Sequence, residues 1–160
     1  MKRRLLRFAH LPAQGFTLIE LVIIIAILAI MASIAAPSFT AMLATMNVRS
    51  AGFDLVSDLT MARSEAVKRN RSISVLPVSE DWVNGWVIDD NGTALMSRNA
   101  LPASLTILAP EEGITFLPSG RVSGMAASGS WALQSSTPGA TARCVVITPT
   151  GSARAKPGEC

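Results

Sequence analysis

The sequence has no tyrosine, one histidine, two cysteines and only 5% aromatic residues among its 160. Each shortage removes a class of chemistry. His10, the only imidazole, lies in a basic amino-terminal stretch that is expected to be cleaved off, so the mature chain should carry none. Ser-His-Asp and Cys-His nucleophile pairs, His-ligated zinc or iron and histidine general-base catalysis all need the missing residue. Two cysteines do not make a Cys-rich metal site, and no Gly-rich segment followed by Lys-Ser or Lys-Thr is present to cradle phosphates. The expectation is a non-enzyme without cofactor or metal.

Acids are also missing from the first fifteen residues, where Lys2, Arg3, Arg4 and Arg7 stand alone. From Phe16 onward 10 basic residues face 11 acidic ones, so the overall charge of +3 belongs to the leader and says little about partners of the rest. What the chain has in excess is apolar surface: 49% hydrophobic residues and a mean hydropathy of +0.40. At 160 residues there is room for one core.

From Leu21 to Ala36 only Ser33 is polar. With residues 16–20 added, a helix here would span about 32 Å at ~1.5 Å per residue, enough to cross a bilayer core. The cations before it hold that end in the cytoplasm by the positive-inside bias, so everything after Pro37 should face the other side. A buried core helix is the alternative, but few are apolar all round at this length. Glu20 breaks the run, and an ionised carboxylate there costs about 2.5 to 3.5 kcal/mol or more unless it is partnered or protonated. No basic side chain stands three or four residues from it in its own helix. The expected partner is therefore intermolecular or an unusual terminal group.

The segment Gly15-Phe16-Thr17-Leu18-Ile19-Glu20-Leu21, with the apolar run behind it, resembles the type IV prepilin motif. The resemblance implies cleavage by a membrane prepilin peptidase between Gly15 and Phe16, N-methylation of Phe16, and pairing of Glu20 with the positive amino terminus of a neighbouring subunit. Pro37 falls where family members carry a helix-bending proline. An ordinary secretory signal, suggested by the small residues of 32–36, leaves Glu20 unexplained and is shorter than this run.

After Pro37, Ala44, Val48, Ala51, Leu55, Leu59, Ala62 and Ala66 recur at helical spacing. One helix is predicted from Phe16 to about Arg69, bent near Pro37, its second half carrying a stripe that a sheet must cover. Glu65 stands four residues before Arg69, a favourable pairing. The remainder reads as strands at 73–78, 86–88, 94–98, 105–108, 114–117, 131–134 and 144–148. Asp89-Asp90-Asn91-Gly92 is the best hairpin signal; it explains the Asn91-Gly92-Thr93 triplet better than glycosylation does. The segments 123–130 and 135–142 read as surface loops.

Ala62-Arg63-Ser64-Glu65-Ala66 with Arg69-Asn70, Trp82 to Trp86, Ile114-Thr115-Phe116, Gly120-Arg121 and the segment from Cys144 to Gly151 are similar to the GspH/FimT branch of minor pilins and pseudopilins. That resemblance implies an α+β pilin-like fold: a leader over 1–15, a transmembrane and assembly helix over 16–38, and a periplasmic unit over 39–160, anchored in the bacterial inner membrane and incorporated into a filament. Arg63, Glu65 and Arg69 read either as a solvated helix face or as subunit contacts. Trp82 and Trp86 read as core before they read as a ligand platform.

Cys144 and Cys160 lie beyond the membrane segment in an oxidising compartment, and a disulfide between them is expected, with free or intermolecular thiols as the alternative. The bond would pin the tail and contribute ~3 kcal/mol in the chain-entropy model. The pinned segment gathers Arg143, Arg154 and Lys156, a candidate surface for DNA phosphates. Some FimT-like minor pilins carry a Gly-Arg-x-Arg element there; here Ser152 replaces its first arginine, and a merely solubilising tail is the competing reading. The expected function is a minor type IV pilin acting in assembly, initiation or at the tip with other pilins. The alternatives are a DNA-capturing minor pilin and a type II secretion pseudopilin.

Overall fold

A computed structural model describes residues 16–110, 112–123 and 129–160. The chain divides at Pro37 into two units, residues 1–37 and 38–160. Helix α1 runs from Leu18 to Arg69 with Pro37 inside it. In the first unit every described residue is exposed, and this helix is long and apolar enough to cross a membrane.

Among the described residues, every buried apolar side chain lies in the second unit. Strands β1 (Ile73–Val78), β2 (Asp81–Asp90), β3 (Thr93–Ser97), β4 (Leu105–Leu108), β5 (Ile114–Phe116), β6 (Gly129–Ser135), β7 (Arg143–Ile147) and β8 (Ala153–Pro157) follow α1. They form two antiparallel sheets of four strands, in the orders β3-β2-β1-β5 and β4-β6-β7-β8. The predicted stripe, from Ala44 to Ala66, is buried at all seven positions. Against it lie Ile73, Val75 and Ile88 from the first sheet and Trp131, Leu133, Val145 and Ile147 from the second. Trp82 and Trp86 are 3% and 0% exposed; Trp82 meets Trp131 edge to face and Trp86 at a tilt in this core, so they are packing residues.

α1 ends in a Schellman motif: Asn70, at φ 50°, donates its N–H to Val67, and the N–H of Arg71 reaches Ala66. Beside that end Glu65 pairs with Arg69 and Lys68, and Arg69 reaches across to Asp90 on β2. The hydrogen bond from Arg69 holds the Glu65 carboxyl below its ordinary range and raises Arg69 above its own. Because the folded value of Glu65 is depressed, the pair's stabilisation is present above the usual glutamate pKa and is lost as pH falls through the lower folded value. Arg69→Ala should therefore lose more stability near neutral pH than at strongly acid pH, which melting curves across that range will read.

Two elements depart from expectation. β2 begins at Asp81, five residues early, because Ser79 and Glu80 both take positive φ (53° and 63°) and close a tight hairpin without the Asn-Gly signal. Asn91-Gly92 closes the next hairpin as predicted, with φ of 53° and 91°. β8 was expected only as a tail. Its Ala-Arg-Ala-Lys-Pro sequence has low strand propensity, and it pairs as an edge strand along all of β7.

Candidate functional site

At the membrane end, Thr17 caps α1. Its backbone N–H and its hydroxyl both donate to Oε2 of Glu20 (2.9 and 2.8 Å), and the N–H of Glu20 returns to the Thr17 hydroxyl at 3.3 Å. This is a capping box, readable in the sequence as Thr-x-x-Glu before an apolar run. These two donors are neutral and leave the charge of Glu20 itself uncompensated, so the expected lack of a basic partner in its own helix is unchanged. Phe16 is exposed, while Gly15, the other side of the expected cleavage point, lies outside the described residues.

At the other end of the chain Cys144 and Cys160 are bridged, with Cα atoms 5.0 Å apart. The three cations of the expected patch are not brought together. Opposed residues in an antiparallel pair point to the same face: Arg154 opposes Val146, Lys156 opposes Cys144, and Arg143 opposes Pro157. Arg154 and Lys156 thus stand exposed on the outer face of β8, two residues apart. Arg143 lies on the inner face and turns toward α1, its guanidinium over the Phe53 ring. The strand period of two separates Arg143 from the other pair.

Arg63 is half-buried on a helix face whose other residues, Thr60, Ser64, Val67 and Lys68, are exposed. Arg63 Nε donates to the Gly120 carbonyl at 3.0 Å, between two turns whose glycines sit at φ 74° (Gly120) and 81° (Gly151). A Cβ on Gly151 would stand 2.1 Å from the Gly120 oxygen and 3.0 Å from Arg63 Nε. Gly151→Ala is expected to destabilise the unit by about 2 kcal/mol or more, from left-handed strain together with that clash; a denaturation midpoint will measure it.

Deeper in, Asp58 is a buried carboxylate that is not among the expected site residues. It accepts from the Trp86 indole N–H at 2.9 Å and from Arg98 Nε and Nη2 at 3.0 and 2.8 Å. Position 58 falls inside the apolar face of α1, and an acid there was the one available signal.

The residues that draw Arg63, Gly120 and Gly151 together span most of the globular unit, and residues 51–151 match the model for Type II transport protein GspH. The chain belongs to the GspH family. Residues 12–36 match the prokaryotic N-terminal methylation motif. Among solved structures, the type IV minor pilin FimU of Pseudomonas aeruginosa is 27% identical, with 69% of this chain and 88% of that one covered and a TM-score of 0.59. The minor pseudopilin EpsH from the Vibrio cholerae type 2 secretion system shares the fold at 13% identity, covering 69% and 96%, with a TM-score of 0.52. No curated protein matches the chain.

GspH-family chains are structural subunits, minor pilins or pseudopilins, and not enzymes. The methylation motif implies processing by a prepilin peptidase and other pilin-like subunits as partners. The Arg63 contact gives a physical reason for the Ala-Arg-Ser-Glu-Ala segment to go with the two glycine turns: the guanidinium is hydrogen-bonded to the Gly120 turn and lies close beside Gly151.

Proposed function

We propose that the chain is made as an inner-membrane prepilin, cut between Gly15 and Phe16 and N-methylated on Phe16, and that its mature form is a minor subunit of a type IV pilus acting in assembly initiation or at the tip. Residues 16–38 are its membrane and assembly helix, with Pro37 near the end, and residues 39–160 its periplasmic unit. One observation carries the choice of pilus over pseudopilus: FimU is 27% identical over 88% of its chain, whereas EpsH is 13% identical. The test is to shear surface filaments from cells expressing the tagged full chain and to determine its amino terminus by mass spectrometry. Methylated Phe16 in the filament fraction is expected. A chain that stays in the membrane uncut, or that is recovered only with secretion pseudopilus subunits, defeats the reading.

A second reading, DNA capture, is supported by the adjacent exposure of Arg154 and Lys156 on β8. With only these two cations the dependence of affinity on salt should be shallow, a log–log slope of about −2 on duplex DNA. Arg154→Ala with Lys156→Ala should abolish binding, and Arg143→Ala should leave it unchanged. A salt titration of the oxidised chain with a short duplex reads both, and no binding at low salt removes DNA from the account.

A further inference from the structure

Among the described residues, Arg49 and Arg143 have no ion-pair partner and converge on one aromatic ring. Arg49 on α1 holds its Cζ 5.4 Å from the centroid of the Phe53 ring, and Arg143, arriving from β7, holds its own 4.7 Å from the same centroid. Phe53 is 48% exposed, so the three side chains make a surface. Among the described residues neither guanidinium has a hydrogen bond or an ion pair, and Nε of Arg143 is buried without an acceptor. Asp54, next to Phe53 in the chain, has Arg98 as its ion-pair partner at 3.9 Å.

The arrangement is held in place. The stem of Arg143 lies on Gly52 of α1, where an added Cβ would stand 3.1 Å from Arg143 Cδ. The absence of a side chain at Gly52 lets the β7 arginine reach the helix surface.

Its setting decides what it needs. Phe39, Met42 and Met46 are exposed on α1, and Arg49 and Phe53 continue the same row at spacings of three and four. In water the aromatic ring faces both cations and solvent reaches the exposed Arg49, while Nε of Arg143 stays buried without an acceptor. Once a neighbouring chain covers the apolar row, water leaves and both charges need an acceptor. A carboxylate fits, because planar guanidinium forks bind it bidentately while stacking on the ring.

We propose that Arg49 and Arg143, held around Phe53, form the seat for a carboxylate side chain of a neighbouring filament subunit. This rests on the reading that the chain enters a filament. The test uses the full chain in cells with its native partner subunits. Arg49→Glu with Arg143→Glu should lower recovery in sheared filaments by about tenfold or more, as for breaking a buried interfacial charge pair, while membrane levels and the Cys144–Cys160 bridge stay as in the wild type.

A second variant avoids dependence on the folding of the first. Arg49→Lys places an amine at the seat, and zero-length carbodiimide coupling in assembled filaments should join it to an Asp or Glu of another subunit, located by mass spectrometry. Wild-type recovery of the doubly reversed chain, or coupling at position 49 only to acids of its own chain, overturns the proposal. So does coupling that is absent from filaments while the wild type, and not the reversed chain, binds anionic lipid vesicles, because a phosphate headgroup would then be the occupant. Absence of the wild-type chain from filaments defeats the proposed function instead.

Discussion

Asp58→Ala should lower the unfolding free energy of the globular unit by about 3–5 kcal/mol, the cost of leaving one side of a buried ion pair without its partner. The Asp58 side chain is 4% exposed and takes hydrogen bonds from Trp86 and from two nitrogens of Arg98. Removing it strands an indole N–H in the core and a guanidinium with only Asp54, at 3.9 Å, still beside it. Asp58→Asn should cost less, because an amide oxygen still accepts from one donor, although the charge is lost. Trp82, Trp86 and Trp131 are all buried in this core, so their fluorescence reports the transition directly in denaturant titrations of the detergent-solubilised chain. A loss under about 0.5 kcal/mol for Asp58→Ala would show that the network fixes position without holding the fold together.

The same pair shows why periodicity exposes some of a fold and hides the rest. The helical spacing of Ala44 to Ala66 predicts the buried face of α1 because apolar burial repeats with the backbone. The Asn91-Gly92 hairpin is legible because both residues tolerate positive φ. Ser79-Glu80 adopts the same turn with residues that do not advertise it, since the pairing of β1 with β2 imposes the conformation. β8 is hidden for a related reason: small and charged residues make a poor strand until β7 offers its edge and the disulfide fastens the tail.

Among site residues, counting charges places Arg143, Arg154 and Lys156 in one segment, but only strand alternation tells which face each takes. A strand expected from Cys144 locates the segment but leaves Arg143, the first residue of β7, off the strand and so undivided from the other two. Arg98 and Asp58 are forty positions apart, and no local pattern joins them.

Glu20→Gln should abolish incorporation into filaments even though it keeps the helix cap, while Thr17→Ala should cost the cap and leave incorporation largely intact. Two roles meet on this carboxylate. In the capping box it accepts from the Thr17 N–H and hydroxyl, a task that glutamine performs nearly as well. In the proposed assembly it meets the positive amino terminus of a neighbour, a task that needs the negative charge. Losing a cap costs about 0.5–2 kcal/mol, which a long apolar helix held in lipid tolerates. An unmet terminal charge in a low-dielectric bundle is not tolerated at that scale, because the desolvation of an ion is larger than that of an amide. Both variants should still be cut after Gly15, so the mature forms are compared at equal levels and the filament fraction is the readout. If glutamine at position 20 assembles normally and the Thr17 variant does not, capping is what Glu20 contributes, and the subunit's register is set by its apolar helix alone.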